Sequence, residues 1–121
     1  MDKGNIMTSR LKEPKACGLK IIQNEFNTYQ SNAFEVRTSS FFCLELCGES
    51  GELANLEKKI WRDPTKEIEI DKLCDEAADV FIALMNYCNS RNINLENAVQ
   101  SKLTKIEDKR LKGLMGKIKN E

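Results

Sequence analysis

Histidine is missing from all 121 residues, which removes the commonest general base and any imidazole-ligated zinc site. Chemistry on this chain must run on carboxylates, lysines, hydroxyls or an oxygen-ligated metal. Long apolar runs are also absent: the longest, residues 41–44 and 80–85, fall far short of the roughly 20 residues needed to cross a bilayer. The first residues carry no apolar signal core, so a reducing cytoplasmic setting with no membrane partner is expected. Neither sign of charge is in excess, with 19 Lys and Arg against 19 Asp and Glu. No whole-molecule field therefore draws the chain onto a nucleic acid polymer or an anionic surface, and an anionic ligand must be held by local charge. There is no Cys-x-x-Cys pair, and the five cysteines (Cys17, Cys43, Cys47, Cys74 and Cys88) are odd in number, which speaks against a disulfide framework or thiolate cluster. Four of them fall on apolar helix stripes and are expected to be small, reduced, buried residues.

What is present is a helical pattern. Hydrophobic residues make up 40% and charged residues 31%, enough for one core under strongly polar outer faces. Residues 1–18 mix charge with Gly4, Pro14 and Gly18 and read as a flexible arm. Ile22, Phe26, Tyr29 and Ala33 recur at helical spacing and predict a first helix over residues 19–36. Thr38-Ser39-Ser40 offers a start for a second, whose stripe of Phe42, Leu46, Leu53, Leu56 and Ile60 runs to Trp61 before Pro64 stops it. Leu73, Ala77, Val80, Phe81, Leu84 and Cys88 predict a third over residues 69–90. Asn94 caps a fourth, with Leu95, Ala98, Val99, Leu103 and Ile106, ending near Gly113. No β-alternation, internal repeat or low-complexity tract competes, so the expected class is all-α: a four-helix, bundle-like domain over residues 19–113 with a tail at 114–121.

Four acids do not suit the faces they occupy. Glu49 falls in the row Leu46, Glu49, Leu53, Leu56, which should point inward, and Glu52 lies three residues on, about 60° around the axis. The third helix repeats this with Glu76 between Leu73 and Val80, and Asp79 three residues beyond. Carboxylates confined to a helix seam would cost several kcal/mol per ion, to which their mutual repulsion adds, unless something cationic sits between them. Hard oxygen ligands without thiolate or imidazole favour Mg²⁺, with Mn²⁺ as a substitute. Glu-x-x-Glu pairs are also common on solvated helices; it is the position of two such pairs inside consecutive apolar stripes that sets these apart. Gly48 and Gly51 flank Glu49 at a cost of about 1 kcal/mol each relative to Ala, which suggests either close approach by a bound ligand or a tight helix crossing.

Three segments, Tyr29-Gln30 through Ala33, Gly48 through Ala54 and Asp75 through Val80, together resemble motifs of the MazG-like all-α nucleoside triphosphate pyrophosphohydrolases, relatives of the dimeric dUTPases and dCTP pyrophosphatases. The likeness runs over about residues 26–110 and is greatest to short phage and bacterial members. It implies that Glu49, Glu52, Glu76 and Asp79 hold Mg²⁺ and carry catalysis, and that a nucleoside triphosphate is cleaved between its α and β phosphates. The Lys-rich last helix of such proteins corresponds to Lys102, Lys105, Lys109 and Arg110. The chain departs from the family at Gly48, where many members have a second Glu for which Glu45 one turn earlier is a partial substitute; at Ala78, which replaces a frequent glycine; and near position 102, where a frequent Asn is absent. Relatives are dimers or dimer-derived tetramers, so a homodimer or tetramer is expected.

Lys58 and Lys59 at the end of the second helix, with Lys102, Lys105 and Arg110, are the candidate phosphate-binding residues, although each singly also suits a solvated helix face. Gln30 and Trp61 are the candidates to hydrogen-bond and stack on a base, with Trp61 equally suited to anchor a core or an interface. Two rival readings use the same residues: a catalytically inert helical module that binds a partner or regulatory nucleotide in the acidic seam, and a structural protein with coincidental acids.

Overall fold

The computed structural model describes residues 15–114. Among them are four helices and no strand: α1, Leu19–Ala33; α2, Ser39–Arg62; α3, Ile70–Ser90; and α4, Leu95–Leu111. The all-α class is as expected. The expected arm lies outside the described residues up to residue 14, as does the expected tail beyond Leu114.

The helix ends follow from local chemistry. Thr38 is extended at φ −76° and ψ 161°, and its Oγ1 accepts a hydrogen bond from the Phe41 N–H at 3.1 Å. One first-turn donor of α2 is thereby paired. Asn94 caps α4 likewise, its Oδ1 accepting from the Asn97 N–H at 3.0 Å. At the other end of α2, Pro64 biases Asp63 out of helical geometry. The Asp63 Oδ1 then accepts from the Thr65 N–H at 3.2 Å and the Thr65 hydroxyl at 2.6 Å, which holds its carboxyl below the usual carboxylate range.

The last carbonyls of α3 and α4 are satisfied by one device. Asn92 (φ 55°) and Gly113 (φ 73°) take the left-handed conformation. After Asn92, the Ile93 N–H donates to the Cys88 carbonyl at 2.9 Å; after Gly113, the Leu114 N–H donates to the Lys109 carbonyl at 2.9 Å. This is the Schellman ending, with Asn taking the place of Gly on α3.

The described residues form two compact units, one of Gln23–Ile93, the other of residues 15–22 and 94–114. In the first, α2 packs on α3. Phe42 is buried in the α2 stripe, with Leu46, Leu53, Leu56 and Ile60 half-buried, and α3 supplies the buried Ala83, Met85 and Cys88. In the second unit Leu95 is buried. There the Ala16 N–H donates to Gln100 Oε1 at 2.7 Å, and the Glu96 carboxylate accepts from the Lys20 N–H at 3.3 Å. That places a negative group at the first turn of α1, where the helix dipole favours one.

Helix α1 departs from expectation twice. It ends at Ala33 rather than residue 36, because the following backbone must be extended to present Thr38 as a cap; Val36 there is 95% exposed. Its inner face is also rotated. Ile22, Tyr29 and Ala33 are exposed, whereas Gln23 is buried and Phe26 and Gln30 are half-buried. Gln23 can be inside because its amide is paired: Nε2 donates to Asn89 Oδ1 at 2.9 Å and to the Ile93 carbonyl at 2.7 Å, while Asn89 Nδ2 donates to the Gln23 carbonyl at 3.4 Å.

The thiols need a similar correction. Cys17, Cys43, Cys47 and Cys74 are exposed and only Cys88 is buried. At roughly 100° per residue, Cys43 sits about 100° from Phe42 around α2 and Cys74 about 100° from Leu73 around α3. Each is far enough round to leave the packed face.

Candidate metal centre

Glu49 projects from α2 between Leu46 and Leu53, and Glu76 from α3 between Leu73 and Val80, so the packing of these two stripes brings the acids together. One carboxylate oxygen each from Glu49, Glu76 and Asp79 lies within 4.8 Å of the others. Glu49 and Glu76 are half-buried and Asp79 is exposed. Although each glutamate keeps some solvent contact, its Oε2 atom is sealed in the seam, and no hydrogen-bond partner reaches Glu49 Oε2 or Glu76 Oε2. Among the described residues, none of the ion pairs involves these acids; they join Arg37 to Glu35, Arg110 to Glu107 and Lys112 to Asp108.

The electrostatics follow from that crowding. Desolvation pushes the Glu49 carboxyl above its ordinary range, helped by the negative charges of Glu52, Asp79 and Glu76 and by a hydrogen bond shared with Glu52. Glu76 is raised first by desolvation, then by the charge and hydrogen bond of Glu52, then by Asp79 and Asp75. Glu52 is thus the fourth member, exposed and at the edge of the point that the other three share. Three or four carboxylates this close favour protons or cations strongly. An all-oxygen donor set with buried, unpaired oxygens suits a hard divalent ion.

A cavity of about 560 Å³ adjoins the acids and is lined by Glu49 and Asp79 as well as by Phe26, Tyr29, Gln30 and Phe41. Its size is that of a small-molecule site. The expected base contact Gln30 is therefore at the cavity wall. Trp61 is 78% exposed at the end of α2 and lines neither of the two described cavities; the same holds for the exposed Lys58 and Lys59. Lys102 and Lys105 are exposed on α4, and Arg110, half-buried, is bonded through Nε to Glu107 Oε1. These three belong to the second unit.

A Cβ placed on Gly48 or Gly51 would meet no atom within 4 Å, so a tight crossing within the chain is not what keeps them glycine. The sequence reading passed over Asn86, which is 7% exposed and lines both cavities. The available signal was a polar residue closing the apolar run of residues 80–85, seven positions after Asp79 and so on the same helix face.

An all-α frame that gathers carboxylates from two adjacent helices beside a small-molecule cavity is the way a helical bundle builds a metal or ligand site, from side chains on facing helices. The model of the MazG nucleotide pyrophosphohydrolase domain matches residues 37–113, and the chain belongs to that family. Membership suggests nucleotide pyrophosphohydrolase activity in general, on a nucleotide substrate, and members typically depend on a divalent metal. No curated protein and no solved structure matches the chain. No helix among the described residues is long and apolar enough to cross a membrane.

Proposed function

We propose that this chain is a cytoplasmic, Mg²⁺-dependent nucleoside triphosphate pyrophosphohydrolase that hydrolyses a ribo- or deoxyribonucleoside triphosphate to the monophosphate and pyrophosphate, with Mn²⁺ able to replace Mg²⁺. The observation that carries this reading is the pair of sealed oxygens, Glu49 Oε2 and Glu76 Oε2, which lie in a cluster of carboxylates with no hydrogen-bond partner. Such atoms are costly in a folded chain unless a cation completes them, and the donor chemistry fits a hard ion.

Glu49, Glu52, Glu76 and Asp79 would hold the metal. A bound divalent ion supplies neutralisation of phosphate charge and activation of water. Glu49, at the wall of the cavity, is suited to orient the attacking water and accept its proton as an oxygen joins the α phosphorus and the bond to the β-phosphate oxygen breaks. Pyrophosphate is the leaving group. Lys58 and Lys59, in the same unit as the acids, are the basic residues available to balance phosphate charge, and Gln30 is placed to meet the base from the cavity wall. Trp61 has no cavity position that supports a stacking role.

A homodimer or tetramer belongs to the same reading. Leu44 is 73% exposed and Trp61 78% exposed on α2, apolar surface that a second copy would cover. Sedimentation at micromolar concentration tests it, and a monomeric mass would overturn that part alone. For the activity, pyrophosphate release is measured on a panel of nucleoside triphosphates with Mg²⁺ and with chelator. Release that requires the metal supports the proposal; absence of release on every nucleotide rejects it.

A further inference from the structure

Asn86 is a polar side chain more than nine-tenths buried, at 7% exposure. Its amide has no hydrogen-bond partner among the described residues, and it lines two cavities of the Gln23–Ile93 unit. Elsewhere in that unit a buried amide is handled differently: Gln23 makes bonds of 2.9 and 2.7 Å. The Asn86 amide atoms are not sealed as the Glu49 and Glu76 oxygens are; they open onto the cavities, where a ligand that displaces water must supply their hydrogen bonds.

The rest of the wall indicates what that ligand is. Asp79, Ala83 and Asn86 line the larger cavity from one face of α3, and seven residues of helix set Asn86 about 10 Å along the axis from Asp79. That is comparable with the span from the first phosphate of a nucleotide to the edge of its base. The cavity also carries exposed aromatic surface: Tyr29 is 58% and Phe34 56% exposed, the two rings pack edge to face with centroids 5.9 Å apart, and both line the cavity. Flat heteroaromatic ligands stack on such rings, while an amide offers a donor and an acceptor side by side for their polar edge.

We infer that Asn86 reads the nucleobase, its amide hydrogen-bonding the base edge while the ring of the base packs on the aromatic surface of the Tyr29–Phe34 pair. This rests on the nucleotide reading above and deepens it by assigning the base end of the substrate to the amide and aromatic wall of the cavity, away from the acids.

Two measurements on the full-length chain test it. The first is binding of free nucleosides and deoxynucleosides, which carry no phosphate and so do not depend on the metal centre, to wild type, Asn86→Leu and Asn86→Asp, followed by ligand-observed NMR. Wild type binds at least one of them, and Asn86→Leu weakens it by roughly tenfold or more, the equivalent of a lost hydrogen bond at a desolvated site. The second is kcat/KM for pyrophosphate release across the four bases. Asn86→Leu compresses the spread among bases, and Asn86→Asp, which keeps acceptors and loses the donor, moves the preference toward guanine, whose edge presents adjacent N–H donors.

Thermal melts separate this from a structural role: Asn86→Leu melts at or above the wild-type temperature, since the amide it removes makes no hydrogen bond among the described residues. Nucleoside affinity and base ranking unchanged in both variants would overturn the inference while leaving the hydrolase proposal standing. Nucleoside binding that depends on Asn86, in a protein that releases no pyrophosphate, supports the inference and rejects the hydrolase alone. A wild type that binds no nucleoside and treats all bases alike overturns the inference outright.

Discussion

Buried polar groups of the Gln23–Ile93 unit are treated in two ways, and the contrast separates architecture from chemistry. On the α1 side, Gln23 and Asn89 exchange hydrogen bonds and close off the Ile93 carbonyl at the end of α3. On the α2 side, Glu49 and Glu76 lie in a cluster of carboxylates with sealed, unpartnered oxygens. A satisfied network of the first kind holds a helix in place and asks for nothing more. An unsatisfied cluster of the second kind is tolerated when a ligand completes it, and proteins commonly accept such a loss of stability where they do chemistry.

The largest expected effect breaks the second side of that contrast. Glu76→Gln removes one charge from the cluster; pyrophosphate release should fall at least about 100-fold, since even residues that merely support metal ligands are worth about 10- to 100-fold. The same variant without metal should melt higher than wild type, because repulsion is relieved. Loss of activity accompanied by a lower melting temperature would mean that Glu76 holds the fold rather than the ion.

Next comes pH. Glu49 and Glu76 have proton affinities raised in the folded state by desolvation and neighbouring carboxylates. As pH falls from neutrality through their elevated range toward the ordinary carboxylate value, the folded chain takes up protons before the unfolded one, so the metal-free protein gains stability. Mg²⁺ should raise the melting temperature at neutral pH and lose that effect over the same acid interval, as protons compete for its ligands. Melts at stepped pH with Mg²⁺ or chelator check both; a metal-free protein that loses stability steadily between pH 7 and 5 contradicts the account.

The first side is broken by Gln23→Leu, which leaves the Ile93 carbonyl and the Asn89 amide without their partner. Denaturant unfolding should show a loss of about 1–3 kcal/mol, opposite in sign to the gain expected from Glu76→Gln. The smallest effect is that of Thr38→Ala, which deletes the cap on the Phe41 N–H and should cost about 1 kcal/mol by the same measurement. Its activity per folded molecule should not change, since Thr38 lines neither cavity.

The same contrast explains what could be read in advance. The ends of α2 and α4 were legible because Thr38, Pro64, Asn94 and Gly113 act on backbone only a few positions away. The acids were legible because periodicity alone puts Glu49 and Glu76 inside apolar rows. Helix α1 was misjudged for the complementary reason. Its buried residue is an amide whose partners, Asn89 and Ile93, lie 66 and 70 residues on, so no local pattern marks Gln23 as interior. Asn86 was passed over because an unpaired buried amide is visible only once its surroundings are known. The exposure of Cys43 and Cys74 was missed because each lies beside an apolar stripe, where a shift of one residue decides which way the side chain turns.

One of the thiols has a use of its own. Four cysteines are open to solvent, while Cys88 is enclosed and its thiol is pushed up by burial, away from the reactive thiolate form. An alkylating reagent should therefore modify four sulfurs quickly and the fifth only when α3 opens. The delayed fifth adduct would act as a stopwatch for that opening, with no label added to the chain.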